Sequence, residues 1–195
     1  MARPIEFDYD SVLENAMQQF WREGYEASSV QKLLDATEIN RGTLYNSFGD
    51  KDRFFVLCVD RYNKFLKANI DASLGNSKLA ASAAIQVYME NAVILAPAKQ
   101  RAMGCLLVNS VCESINFNKD MQKLIRKSLS AIQRAFLSRT RELEKAKQLR
   151  RGLKADQAAE LLMNLLQGLY VSARNGRSPK LLSETLKIGL DSIKK

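Results

Sequence analysis

Between Ser28 and Phe54 the apolar positions come in short helical groups, separated by polar residues suited to helix caps. This rhythm predicts two brief helices joined by a tight turn and followed by the start of a third. Val30, Leu33 and Leu34 recur at the spacing of one buried helical face that runs to about Thr37. Ser28 with Gln31 three residues on has the spacing of a capping box, in which each side chain satisfies an amide left free at a helix start, so the helix is expected to begin there. Ile39 fills the turn. Asn40 is suited to cap a second short helix, Arg41 to Ser47, anchored by Leu44 and Phe48; Asp50 is suited to cap a third that opens with Lys51. The anchors leave Arg41, Thr43, Tyr45, Asn46 and Ser47 on the open face. This is the grammar of a helix-turn-helix, and these are hydrogen-bonding types that reach base edges and phosphates from a helix in the major groove. Ser28, Ser29 and Lys51 are the candidate phosphate contacts, with Lys51 adding a cation beside the free amides of a helix start.

On either side the pattern stays helical. Val12, Leu13, Ala16, Met17 and Phe20 make one stripe over residues 9–23, after a short arm containing Arg3. The helix from Lys51 is long, and its apolar faces (Phe54, Phe55, Leu57, Cys58, Tyr62, Phe65, Leu66) carry it out of the reading motif into the rest of the chain. Beyond a turn at Gly75-Asn76-Ser77, helices are expected at about 78–95, 98–116, 118–148, 155–175 and 179–194. No strand-like alternation persists. The expected fold is therefore all-α with about nine helices: a three-helix helix-turn-helix domain over residues 1–50 and a larger helical domain over 51–195. The last two helices are apolar on too many faces for a monomer surface, which suggests pairing with a two-fold mate through Leu162, Leu165, Leu166, Leu169, Leu186 and Leu190; completion of the subunit's own core is the alternative.

Composition narrows the chemistry. The 195 residues include no His and only three Cys, Cys58, Cys105 and Cys112, which removes a His-based triad and the usual zinc ligand sets. No nucleophile–base pair or Gly-rich phosphate loop is evident, so neither an enzyme nor a cofactor or metal is expected. The N-terminus has no apolar signal segment, and no apolar run approaches the roughly 20 residues that span a bilayer, so the expected location is cytoplasmic, away from membranes, with free thiols. The net charge is +9, yet residues 1–67 hold 9 Lys/Arg against 11 Asp/Glu. Much of the basic excess lies between Lys119 and Lys154, including Lys123, Arg126, Lys127, Arg134, Arg139, Arg141, Arg150 and Arg151, and reads as the solvated face of a long helix. The alternative function is a helical adaptor that uses this face to engage an acidic partner.

The block GTLYNSFGDKD, with Ser28-Ser29-Val30 before it and Gly24-Tyr25 further upstream, resembles the TetR/AcrR family of bacterial transcriptional regulators over roughly Tyr9 to Tyr62. The chain departs from that pattern at Thr37-Glu38, where many members carry Ala-Gly. The resemblance implies a homodimer reading a palindromic operator in double-stranded DNA, most readily a repressor released by a small-molecule or reactive electrophile effector. Aromatic and polar residues set in apolar helices, Phe65, Tyr88, Asn109, Gln167 and Tyr170, are candidates for the effector pocket. Cys105 is a further candidate. It follows Gly104 at an expected helix start with Arg101 a turn earlier, where dipole and cation would favour thiolate. The Gly-Cys-Leu segment is similar to that of a subset of TetR-type regulators that sense electrophiles and oxidants; a small buried apolar residue is the alternative. Cys112 is expected about two turns along the same face, roughly 10 Å away.

Overall fold

A computed structural model describes residues 7–195, so Arg3 lies outside the described residues. The described residues form ten α-helices: α1 Tyr9–Glu23, α2 Val30–Thr37, α3 Arg41–Phe48, α4 Lys51–Ala72, α5 Ala81–Met89, α6 Ala98–Met103, α7 Leu106–Glu113, α8 Lys119–Lys145, α9 Ala155–Arg174 and α10 Pro179–Ile193. A π-helical turn, Glu90–Ile94, continues α5, and a 3-10 turn, Ser114–Asn116, closes α7. The all-α fold matches the sequence expectation. No helix among the described residues is long and apolar enough to cross a membrane.

The first three helices and the start of α4 close around aromatic side chains. Phe20, Phe48, Phe54 and Phe55 are fully buried, with ring centroids 4.6 Å apart for Phe48–Phe54 and 5.1 Å for Phe20–Phe55. Tyr9 stacks on Phe48 at 4.8 Å, fastening the first turn of α1 over α3. Further along α4, Tyr62 and Leu66 are also buried, and α4 packs on α8 as well as on α1. One helix thus belongs to both cores. In the larger part α8 and α9 form the most extensive pair, with α5 lying on α8 and α10 on α9.

Two features depart from the sequence expectation. The helix expected at 98–116 is two helices, because Gly104 takes φ +70 and Cys105 is extended, which breaks the run after Met103. Gly104 is also packed closely: a Cβ there would lie 3.3 Å from the Tyr170 carbonyl oxygen. The break is the source of the tenth helix. The second departure is Arg139, expected on the solvated face of α8 but only 5% exposed. Its guanidinium donates to the carbonyls of Leu74 (2.6 Å) and Asn76 (2.7 Å) and to Glu142, so it holds the α4–α5 turn against α8. Lys123, Arg126, Lys127, Arg134 and Arg141 remain exposed as expected.

Candidate nucleic-acid interface

The reading motif is assembled from short-range contacts. Ser29, not Ser28, caps α2: its side chain accepts from the Lys32 amide at 3.2 Å. Ser28 is fully buried and its hydroxyl donates to the Gly24 carbonyl at 2.6 Å, while Gln31 donates to Asp35 instead of closing a capping box. The expectation that Ser28 contacts phosphate is therefore corrected, since its hydroxyl is enclosed and already engaged. Helix α2 ends at Glu38, which takes the left-handed conformation (φ 57, ψ 26). That is the position where many chains of this pattern carry glycine, and an L-residue there costs about 1 kcal/mol. Asn40 then caps α3 by accepting from the Thr43 amide at 2.8 Å, and Asp50 caps α4 by accepting from Arg53 at 2.8 Å. Both follow the sequence expectation.

Leu44 and Phe48 anchor α3 from below and are fully buried. The opposite face carries Arg41, Tyr45, Asn46 and Ser47 exposed and Thr43 half-buried, with Tyr45 47% exposed although it is an aromatic residue. A capped, doubly anchored helix thus presents five hydrogen-bonding side chains to solvent. Lys51 sits beside it at the start of α4, its ammonium 4.2 Å from the Tyr25 ring centroid, and desolvation pulls its pKa down. Tyr25 in turn donates to Asp52, which also accepts from Asn118 at 2.8 Å.

Contacts from the larger part grip the end of α1. The Trp21 indole donates to the Gly104 carbonyl at 3.1 Å. Arg174, at the last turn of α9, donates to the carbonyls of Trp21 (3.2 Å), Arg22 (3.0 Å) and Met103 (2.8 Å). Glu113 accepts from the Glu26 amide at 2.9 Å, and its carboxylate lies against Gly24 (φ +88), where a Cβ would collide with it. These linking residues, separated by 71 to 153 positions, carry no local sequence signal and escaped the sequence reading.

The candidate effector residues divide. Phe65 and Tyr170 line one cavity between α1, α4, the π-helical turn and α9. Tyr88 and Cys105 are fully buried. The Tyr62 hydroxyl donates to the Cys105 sulfur at 3.5 Å, and the Tyr88 hydroxyl is buried without a partner. Asn109 is occupied with the Met103 carbonyl at 2.9 Å, and Gln167 is half-buried on α9. The thiolate expected at Cys105 is corrected: burial pushes its pKa up, and the Tyr62 hydrogen bond offsets this only in part. Arg101 does not turn towards it, because its guanidinium donates to the carbonyls of Ile94 and Ala96. Cys112 is exposed while Cys105 is enclosed.

Five of the six leucines expected at a dimer interface are likewise corrected. Leu162, Leu166, Leu169, Leu186 and Leu190 are each at most 4% exposed within the single chain, and Leu165 fills the space above Gly189. They knit α9 to α10 and α8. The apolar side chains these two helices leave open are Leu161, Val171, Leu181 and Ile188.

Residues 12–58 match the sequence profile of the family described as bacterial regulatory proteins, tetR family. The chain is 29% identical over 197 residues to the HTH-type transcriptional repressor ComR of Escherichia coli, covering 98% of this chain and 93% of that relative. Its fold is similar to that of a TetR regulatory protein from Rhodobacter sphaeroides, with a TM-score of 0.85 at 20% identity over 95% of this chain and 98% of the other. It is also similar to a cysteine mutant of the TetR family transcriptional regulator CifR complexed with 26-bp double-strand operator DNA, with a TM-score of 0.76 at 22% identity over 98% and 100% of the two chains.

Proposed function

We propose that the chain, which matches the tetR family of bacterial regulatory proteins over residues 12–58 and resembles the repressor ComR along 98% of its length, is a TetR/AcrR-type repressor whose α3 reads a palindromic operator as one half of a homodimer, and that a small molecule bound in its helical body releases it. The observation that carries this reading is the open face of α3, where Arg41, Thr43, Tyr45, Asn46 and Ser47 stand on a helix fixed by its cap and by two buried anchors. Such side chains supply base and phosphate contacts, while Ser29 and Lys51 flank the face and contact phosphates. Residues 1–50 then serve as the reading domain and 51–195 as the effector and dimer domain, with Phe54 and Phe55 near the start of α4 buried in the reading core.

A single α3 touches few base pairs, and a two-fold pair gives the selectivity that an operator requires. The surface for that pairing is the open side of α9 and α10 around Leu161, Val171, Leu181 and Ile188. Gly168 lies exposed in the middle of α9 with nothing within 4 Å of where its Cβ would be. A glycine inside a helix costs about 0.5–1 kcal/mol, a cost that close approach of a partner helix offsets. That CifR is seen on operator DNA and that ComR is a repressor support the operator and repressor readings by likeness.

The test is selection of bound fragments from genomic DNA, followed by sedimentation of the complex. A two-fold symmetric sequence bound by two protomers, with Ile188→Glu giving monomers that no longer hold it, is the expected result. Enrichment of no common sequence would remove the operator reading.

A further inference from the structure

The cavity that takes in Phe65 and Tyr170 has a volume of about 350 Å3, at the small end of the range for ligand pockets. Its walls come from distant parts of the chain: Trp21 from α1, Tyr62 and Phe65 from α4, Leu95 after the π-helical turn, Gly104 between α6 and α7, and Tyr170 from α9. Two of the largest exposed apolar side chains in the molecule, Phe65 at 52% and Leu95 at 68%, line it. Apolar surface left open around a concavity marks a place where something binds.

The lining also specifies charge. Among the described residues no Asp, Glu, Lys or Arg lines the cavity; its polar side chains are the amides of Asn91 and Gln100, the two tyrosines and the Trp21 indole. Burial raises the pKa of both Tyr62 and Tyr170, so the phenols stay neutral. Glu14, Arg61 and Lys64 line an adjoining pocket that shares Trp21, Tyr62, Phe65 and Gln100 with the cavity, and there Arg61 donates to Glu14 at 2.8 Å. Arg101 and Arg174 also lie near, but their guanidiniums are engaged by the backbone carbonyls of Ile94, Ala96, Trp21, Arg22 and Met103. A charged ligand would lose its water here with no counter-charge on the cavity's own wall, whereas a flat apolar one gains the aromatic wall.

The cavity also reaches the reading motif directly. Trp21 belongs to α1, which packs on α2, and it is held in place by the Gly104 carbonyl and by Arg174 on its own carbonyl. An occupant pressing on Trp21 therefore acts on the helix that braces the reader, with no relay along α4. We infer that this cavity binds a small, flat, uncharged apolar molecule and that Trp21 senses its presence. That such binding releases operator DNA rests on the repressor reading above; the binding itself does not.

Trp21 is the only tryptophan in the chain, so the full-length protein reports on its own site. The probe is N-phenyl-1-naphthylamine, which is uncharged, set against 1-anilino-8-naphthalenesulfonate, which has the same rings and an added sulfonate. Saturable quenching of Trp21 with sensitised probe emission is expected for the uncharged probe, with the sulfonate binding about tenfold or more weakly. Phe65→Ala and Leu95→Arg, both at exposed positions, should each weaken the uncharged probe while leaving thermal unfolding unchanged. Equal binding of the two probes, or binding that neither substitution alters, would overturn the inference. Operator release is then measured separately with the same probe. Saturable binding to Trp21 in a protein that selects no operator would uphold the site and sink the repressor reading. Binding that leaves a working operator complex intact would overturn the regulatory half of the inference.

Discussion

The reading motif and the helical body place their candidate functional side chains in opposite physical settings. On α3 the chemistry is displayed: Arg41, Tyr45, Asn46 and Ser47 are exposed, on a helix whose cap and anchors lie within eight residues of one another. In the body the chemistry is enclosed: Tyr62, Tyr88, Cys105 and Tyr170 are buried, and burial raises the pKa of each and keeps it neutral. A surface that recognises a polyanion needs free donors, whereas a switch site gains from a dry interior in which an apolar ligand alters packing. The contrast explains how one chain can hold a polar reader and a neutral cavity, with Trp21 and Arg174 joining them.

The contrast can be broken most forcefully at the base of the reader. Phe48→Ala removes a fully buried ring that packs on Phe54 and Tyr9, and should cost about 3–5 kcal/mol in urea unfolding, carrying DNA binding with it. Arg41→Ala combined with Tyr45→Ala should leave unfolding unchanged yet weaken operator binding by about 2–4 kcal/mol, read by titration of labelled DNA. Loss of stability in that double variant would show that the displayed face is structural. In the body, Arg139→Ala strands the carbonyls of Leu74 and Asn76 and should cost about 1–3 kcal/mol of stability with little direct effect on DNA contacts. Glu38→Gly relieves a left-handed residue and should raise stability by about 1 kcal/mol, visible as a higher unfolding midpoint. The smallest effect is chemical. Ellman's reagent should label Cys112 at once at pH 8, while Cys58 and Cys105, buried and with raised pKa, react only on unfolding. Rapid labelling of Cys105 in the folded protein would restore a thiol-based trigger.

How much of this was legible in the sequence follows the same division. The caps at Asn40 and Asp50, the anchors Leu44 and Phe48 and the open face of α3 are local, so residue type and spacing sufficed. Even there the cap of α2 fell one residue late, because Ser28 and Ser29 are equally good caps and only the fold shows that Ser28 is spent on the Gly24 carbonyl. In the body the apolar pattern identified helices but not which apolar side faces inward. Leu162, Leu166 and Leu186 read the same whether they meet a partner subunit or the chain's own α8, α9 and α10. The break at Gly104, the buried Arg139 and the grip of Arg174 on α1 depend on contacts across 63 to 153 positions, which no window along the chain contains.

The central claim, that recognition belongs to the α3 face and not to the basic surface of α8, is tested most directly by fluorescence anisotropy at near-physiological salt. The DNA would be a fragment from upstream of the protein's own gene, alongside a shuffled copy of it, titrated with the natural chain and with the Arg41→Ala, Tyr45→Ala variant. The account predicts that the natural chain binds the upstream fragment selectively and that the variant binds both DNAs equally weakly. Equal binding of both DNAs by the natural chain, unaffected by the double substitution and lost steeply with added salt, would contradict it and move recognition to α8.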